Sequence, residues 1–150
     1  MKNELNQAFS FICGILAKRW RTRRELELRL EQKGFSAGIS RHVLEMMEQY
    51  GYIDDQAYSR YWVEKRLGKK GFVLLKQELL DRGVDINLIE DVLAEYGQEA
   101  EYLAALRLVK EKEALSGNSC SVSRLAGFLK RRGFSSEVIG KIFWEISERG

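Results

Sequence analysis

Proline is absent from all 150 residues. Proline inside a helix costs about 3 kcal/mol, so nothing here forces a break within one. There is one histidine, His42, and there are two cysteines, Cys13 and Cys120. That supply excludes a His/Cys metal centre and a disulfide framework, and it fits a reducing cytosol. Apolar runs fall far short of the ~18 residues that a membrane span needs. The glycines stand singly, in neither a GxxxxGK nor a GxGxxG phosphate loop. The adjacent pair Asp54-Asp55 has no partner carboxylate, and neighbours at a helix start point apart. A non-enzymatic protein without cofactor or metal is expected, in the cytoplasm, off the membrane and monomeric. The opening segment MKNELNQAFSFICGILAKRW carries Glu4 ahead of its apolar stretch and no small-residue cleavage site after it. It reads as an amphipathic helix rather than a signal peptide, with Cys13 as inert core.

What is present is a unit of roughly fifty residues that occurs three times. Gly34, Gly83 and Gly133 stand 49 and 50 residues apart. A leucine falls eight residues before each (Leu26, Leu75, Leu125) and another four before (Leu30, Leu79, Leu129). A cation precedes each glycine (Lys33, Arg82, Arg132) and an apolar residue follows (Phe35, Val84, Phe134). Downstream, Ile39, Leu88 and Val138 correspond, then Val43, Val92 and Ile142, then Met47, Tyr96 and Ile146. Apolar spacings of three and four predict helix nearly throughout. The fold expected is all-α, an elongated tandem array of three three-helix repeats spanning residues 1–52, 53–97 and 98–150. Such arrays present a surface rather than enclose a cavity.

Each unit predicts three helices. In the first, Leu5, Phe9, Ile12 and Leu16 share a stripe. Thr22 with Glu25 makes a capping box, and Gly34 closes the second helix in the left-handed conformation. Ser36, Asp85 and Ser135 are placed to cap each third helix, and Asp54 and Asp55 to open the fourth. Ser116-Gly117-Asn118-Ser119 reads as a mobile loop and Gly68–Gly71 as a hinge.

Charge is unevenly distributed although the net is only +3. Residues 1–82 carry an excess of five positive charges, residues 83–106 six negative charges with no cation, and residues 107–150 an excess of four positive. This suits a partner of mixed charge. Lys18, Arg19, Arg21, Arg23 and Arg24 surround Trp20 and could grip phosphates or an acidic strip, or simply be a solvated junction. Lys65, Arg66, Lys69 and Lys70 close the fourth helix, where the dipole alone favours cations. Lys130 and Arg131 form a third cluster. Tyr58, Tyr61 and Trp62 form a core-like stripe with Tyr61 turned outward. Asp85, Glu90, Asp91, Glu95, Glu99 and Glu101 read as a solvated acidic face.

Gly51-Tyr52-Ile53-Asp54-Asp55, then Ala57-Tyr58 and Glu64-Lys65-Arg66, form a signature. Together with Glu25-Leu26, Leu30, Lys33-Gly34-Phe35 upstream and Glu78-Leu79, Arg82-Gly83-Val84 downstream, it resembles the RecX family. The likeness covers about residues 5 to 147, with one departure: many relatives carry a proline after the glycine matching Gly71, where this chain has Phe72. The resemblance implies a regulator that binds the RecA–DNA filament along its groove and inhibits its growth, ATP hydrolysis, strand exchange and co-protease activity. It implies the RecA filament as partner, with weak sequence-independent DNA contact allowed. Two other readings stand beside it. One is a helix-turn-helix-like nucleic-acid-binding protein over residues 22–53, whose third helix carries few base-reading side chains. The other is a helical-repeat scaffold for a different partner.

Overall fold

The computed structural model describes residues 2–116 and 121–149, and every regular element among them is helical. The elements are α1 (Lys2–Leu16), α2 (Arg23–Lys33), α3 (Ala37–Gln49), α4 (Asp55–Arg66), α5 (Phe72–Asp81), α6 (Ile86–Ser116), α7 (Val122–Arg131) and α8 (Ser136–Arg149). Helix α6 is broken at Gly97, which stands at φ 82° and ψ 163°. Its first part belongs with α4 and α5, and its second with α7 and α8. Of the expected loop Ser116-Gly117-Asn118-Ser119 only Ser116 lies among the described residues, and Cys120 falls outside them too.

The periodic apolar positions form three cores. Leu26, Leu30, Val43 and Met47 pack with Ala8, Ile12 and Ile15 of α1. Leu75, Leu79, Ile89 and Val92 pack with Tyr58, Trp62 and Val63 of α4. Leu125, Leu129, Val138 and Ile142 pack with Ala105, Leu108 and Val109 of the second part of α6. Each leucine so buried contributes about 1.5–3 kcal/mol. Helix pairs pack mainly within a triplet, so the molecule is a tandem array of three-helix repeats. Cys13 corrects its expectation: one residue on from Ile12, about 100° around α1, it is exposed.

Capping follows the sequence closely. Thr22 and Glu25 make the reciprocal capping box, and Ser36 and Asp54 cap α3 and α4. Asp55 does something else. Its carboxylate accepts the backbone N–H of Arg23 at 3.0 Å, so it caps α2 of the preceding unit. Burial pushes the Asp55 carboxyl above its ordinary value, and the Arg23 amide and guanidinium oppose that shift.

This contact belongs to a joint built twice. At the first joint, the Thr22 hydroxyl donates to the Arg82 carbonyl at 2.7 Å, and Gly83 sits against the Arg24 side chain with no room for a Cβ. At the second, the Gly71 N–H donates to the Arg132 carbonyl at 2.8 Å, and Gly133 sits against Leu74 in the same way. The Phe72 N–H then donates to Glu101 at 2.8 Å, as the Arg23 N–H does to Asp55. Thr22 and Gly71, like Arg23 and Phe72, are 49 residues apart, the spacing of Gly34 and Gly83. The joint therefore repeats with the sequence.

Two expectations change here. Gly71 is buried against Phe134 and hydrogen-bonded to the third unit, so it is clamped rather than free as a hinge. Glu101 is 2% exposed and leaves the solvated acidic face, because the second joint encloses it. Its carboxylate also accepts from the Ser135 N–H and hydroxyl, at 3.3 and 3.1 Å.

Candidate partner-binding surface

Helix α4 carries the aromatic centre of the molecule. Tyr58 and Trp62, one turn apart, stack with ring centroids 5.9 Å apart. The Arg66 and Arg82 guanidiniums lie 3.4 and 3.9 Å from the Trp62 centroid. The indole N–H donates to Glu78 at 3.0 Å, and the other oxygen of that carboxylate pairs with Lys70. Trp20 reaches across from the first unit and meets both Tyr58 and Tyr61 at 5.7 Å. It belongs to the first joint, not to the core of its own unit. Burial and the Glu25 carboxylate push the Tyr58 phenol above its usual value, while Arg82 and Arg19 pull the other way.

The predicted basic residues divide into two sets. Arg21 pairs with Glu25, Arg23 with Glu48 and Arg24 with Glu27, while Arg66 and Lys70 are taken up around Trp62 and Glu78. These contacts lie within the first and second units. Lys18, Arg19, Lys65, Lys69, Lys130 and Arg131 are exposed, as is Tyr61, which Lys65 covers at 5.5 Å. Trp20 brings the first cluster to α4. The Arg132 guanidinium, at 3.4 Å from the Lys69 carbonyl, brings the third cluster to the end of α4. Each of the three units thus presents exposed cations, and those of the first and third lie next to residues that touch α4 or the turn that follows it.

Arg82 and Arg132, the cations ahead of two of the repeat glycines, each lie over a ring, Trp62 for Arg82 and Phe128 for Arg132. Lys33 does the same over Phe11. The signal was present in the recurrence of a cation at that position, but its aromatic partners come from different helices and share no spacing. Of the acidic face, Asp85, Glu90, Asp91, Glu95 and Glu99 are exposed. Arg60 binds Glu95 through two hydrogen bonds and holds its carboxyl below the usual range. Among the described residues no three His, Cys, Asp or Glu side chains are grouped to hold a metal ion. No described helix is long and apolar enough to cross a membrane.

Residues 54–93 match the family model described as RecX, second three-helix domain. A regulatory protein RecX from Mycolicibacterium smegmatis is 36% identical over 141 residues, covering 88% of this chain and 75% of that protein. One from Clostridium acetobutylicum is 29% identical over 148 residues, covering 94% and 67%. The crystal structure of RecX from Lactobacillus salivarius superposes with a TM-score of 0.88 at 20% identity, over 98% of this chain and 99% of that one. At that identity the likeness speaks for the fold. The identity to the mycobacterial protein across three quarters of its length, together with the matched central domain, shows that this chain belongs to the RecX family of regulatory proteins.

Proposed function

We propose that this chain is a non-enzymatic negative regulator of a RecA recombinase, binding the RecA–DNA filament along its groove in the cytoplasm. What supports this reading is that exposed cations recur in all three units, which hydrogen bonds join; taken together they make one basic strip. Units over residues 1–52, 53–97 and 98–150 each present a part of that strip, with Lys18 and Arg19, then Tyr61, Lys65 and Lys69, then Lys130 and Arg131. One molecule would touch several protomers through contacts that are individually weak, and their linkage makes the whole strong. Bound in this way it would hinder filament growth, ATP hydrolysis, strand exchange and co-protease activity. The same strip suits weak phosphate contact with DNA, without sequence preference and falling steeply with salt.

The test is DNA-dependent ATP hydrolysis by RecA on single-stranded DNA, titrated with this chain from far below one to one. Inhibition at substoichiometric amounts supports the proposal. A requirement for one molecule per RecA, or no effect with both proteins folded, overturns it.

A further inference from the structure

The two internal joints define a complementary pair of surfaces, and among the described residues one copy of each half is unmatched. One half is the N-terminus of the second helix in a unit. Its capping residue meets the carbonyl before the next glycine turn, and its first N–H meets a carboxylate from the next unit's first helix. In the third unit these positions are Ser121, Val122, Ser123 and Arg124, and all four are exposed. The Ser121 hydroxyl accepts the Arg124 N–H at 3.2 Å, just as the Thr22 hydroxyl accepts the Glu25 N–H. Thr22 uses its remaining proton to bind Arg82, and Ser121 has the same proton to offer.

The other half is a glycine turn with its preceding carbonyl and an upstream carboxylate. In the first unit these are Gly34, Lys33 and Glu4. An added Cβ at Gly34 has no neighbour within 4 Å, whereas at Gly83 it would meet the Arg24 side chain and at Gly133 Leu74, each at 2.3 Å. Asp55 precedes Gly83 by 28 residues and Glu101 precedes Gly133 by 32. Glu4, exposed in the first turn of α1, precedes Gly34 by 30 and falls between them.

We propose that this chain self-associates head to tail, the N-terminus of α7 in one copy seating the Lys33–Gly34 turn and Glu4 of a second. A contact between two different surfaces does not close on itself, so it extends the array unit after unit. The expectation of a monomer then holds only in dilute solution.

Sedimentation equilibrium of the chain alone, over a hundredfold range of concentration, tests this. Two exposed substitutions block one half each: Ser123→Trp fills the α7 end, and Glu4→Arg sets a cation against a helix N-terminus. Circular dichroism checks that both variants keep their helices. The mean mass of the unaltered chain should rise about twofold without a plateau, since association shifts with concentration. Each variant alone should stay at the monomer mass, and an equimolar mixture should stop at the dimer. A mass that never rises overturns the proposal, as does a rise that neither variant alters, which would place the contact on another face or another partner. The experiment contains no recombinase, so its failure leaves the proposed function standing.

Discussion

Glu101 on α6 accepts the backbone N–H of Phe72 at 2.8 Å while only 2% exposed. Phe72 is the first residue of α5, so a carboxylate from the third unit neutralises the positive end of a helix in the second. Its remaining partners, the N–H and hydroxyl of Ser135, lie ahead of α8 in its own unit. Among the described residues no cation is bonded to it. The buried charge is satisfied by amides and a hydroxyl, which makes removal of the carboxylate costly on both sides of the joint. Glu101→Ala should therefore destabilise the protein by about 2–4 kcal/mol, because two enclosed amides lose their acceptor. Glu101→Gln, which keeps one acceptor oxygen, should cost less. Urea denaturation of the two variants checks the order, and an alanine variant as stable as the parent would remove Glu101 from the joint.

The three turn glycines give a graded test. All have positive φ, at 98°, 83° and 87° for Gly34, Gly83 and Gly133. Alanine at any of them costs about 1–2 kcal/mol from the left-handed backbone alone. At Gly83 a Cβ would also strike the Arg24 side chain, and at Gly133 it would strike Leu74, including its backbone. Gly133→Ala should be the most destabilising, Gly34→Ala the least, with Gly83→Ala between them because Arg24 is flexible. Thermal melts of the three variants measure this, and equal losses would mean that the joints open at little cost.

The sequence made the repeat legible because each unit buries the same face at the same spacing. Leu30, Leu79 and Leu129, four residues before their glycines, are all fully buried. The joints were hidden for a physical reason. Their hydrogen bonds link residues about thirty or sixty apart, such as Arg23 with Asp55 and Thr22 with Arg82, and each uses at least one backbone group, which leaves no mark in side-chain pattern. Glu101 therefore looked like one more acid in an acidic stretch, and Gly71 like a hinge. In the basic strip, the composition marked the clusters, but whether a cation is free or bound to its own fold depends on a neighbour such as Glu48 or Trp62.

Substituting the repeated leucine tests whether the cores are equivalent. Leu30→Ala and Leu79→Ala should each cost roughly 2–5 kcal/mol, set by how far the cavity collapses. Urea midpoints report it, and a loss below about 1 kcal/mol at either site would mean a loosely packed unit.

Asp55 gives a pH signature of definite sign. Burial raises its carboxyl above the ordinary 3.8, so the folded state holds the proton to higher pH than the unfolded state does. Its contribution is then present at low pH and lost as pH rises from 3.8 through the raised value. Glu95 acts oppositely, since Arg60 lowers its carboxyl and that contribution disappears as pH falls through the lowered value. Asp55→Asn should remove only the first effect. Its stability relative to the parent should increase as pH rises from 3.8, measured by urea denaturation at several pH values, and a gap independent of pH would contradict the raised carboxyl.

Lys69 and Arg82 separate binding from folding. Lys69 is exposed, and the groups it uses are backbone ones: its N–H donates to the Arg66 carbonyl at 2.9 Å and its carbonyl accepts from Arg132. Arg82 is half-buried, lies 3.9 Å from the Trp62 centroid and donates to the Glu78 carbonyl at 3.3 Å. Lys69→Ala should change stability by no more than about 0.5 kcal/mol, as should Lys130→Ala and Arg131→Ala. Arg82→Ala should cost about 1–2 kcal/mol, from the lost ring contact and the packing of its stem. In the ATP hydrolysis titration the lysine and Arg131 variants should require more protein for the same inhibition, while melting with the parent. The inhibitory loss for Arg82→Ala should follow its fraction unfolded and recover on cooling. If the Lys69, Lys130 and Arg131 variants inhibit as the parent does, the partner lies on another face of the array, and the acidic surface around Asp85 and Glu90 becomes the one to substitute next.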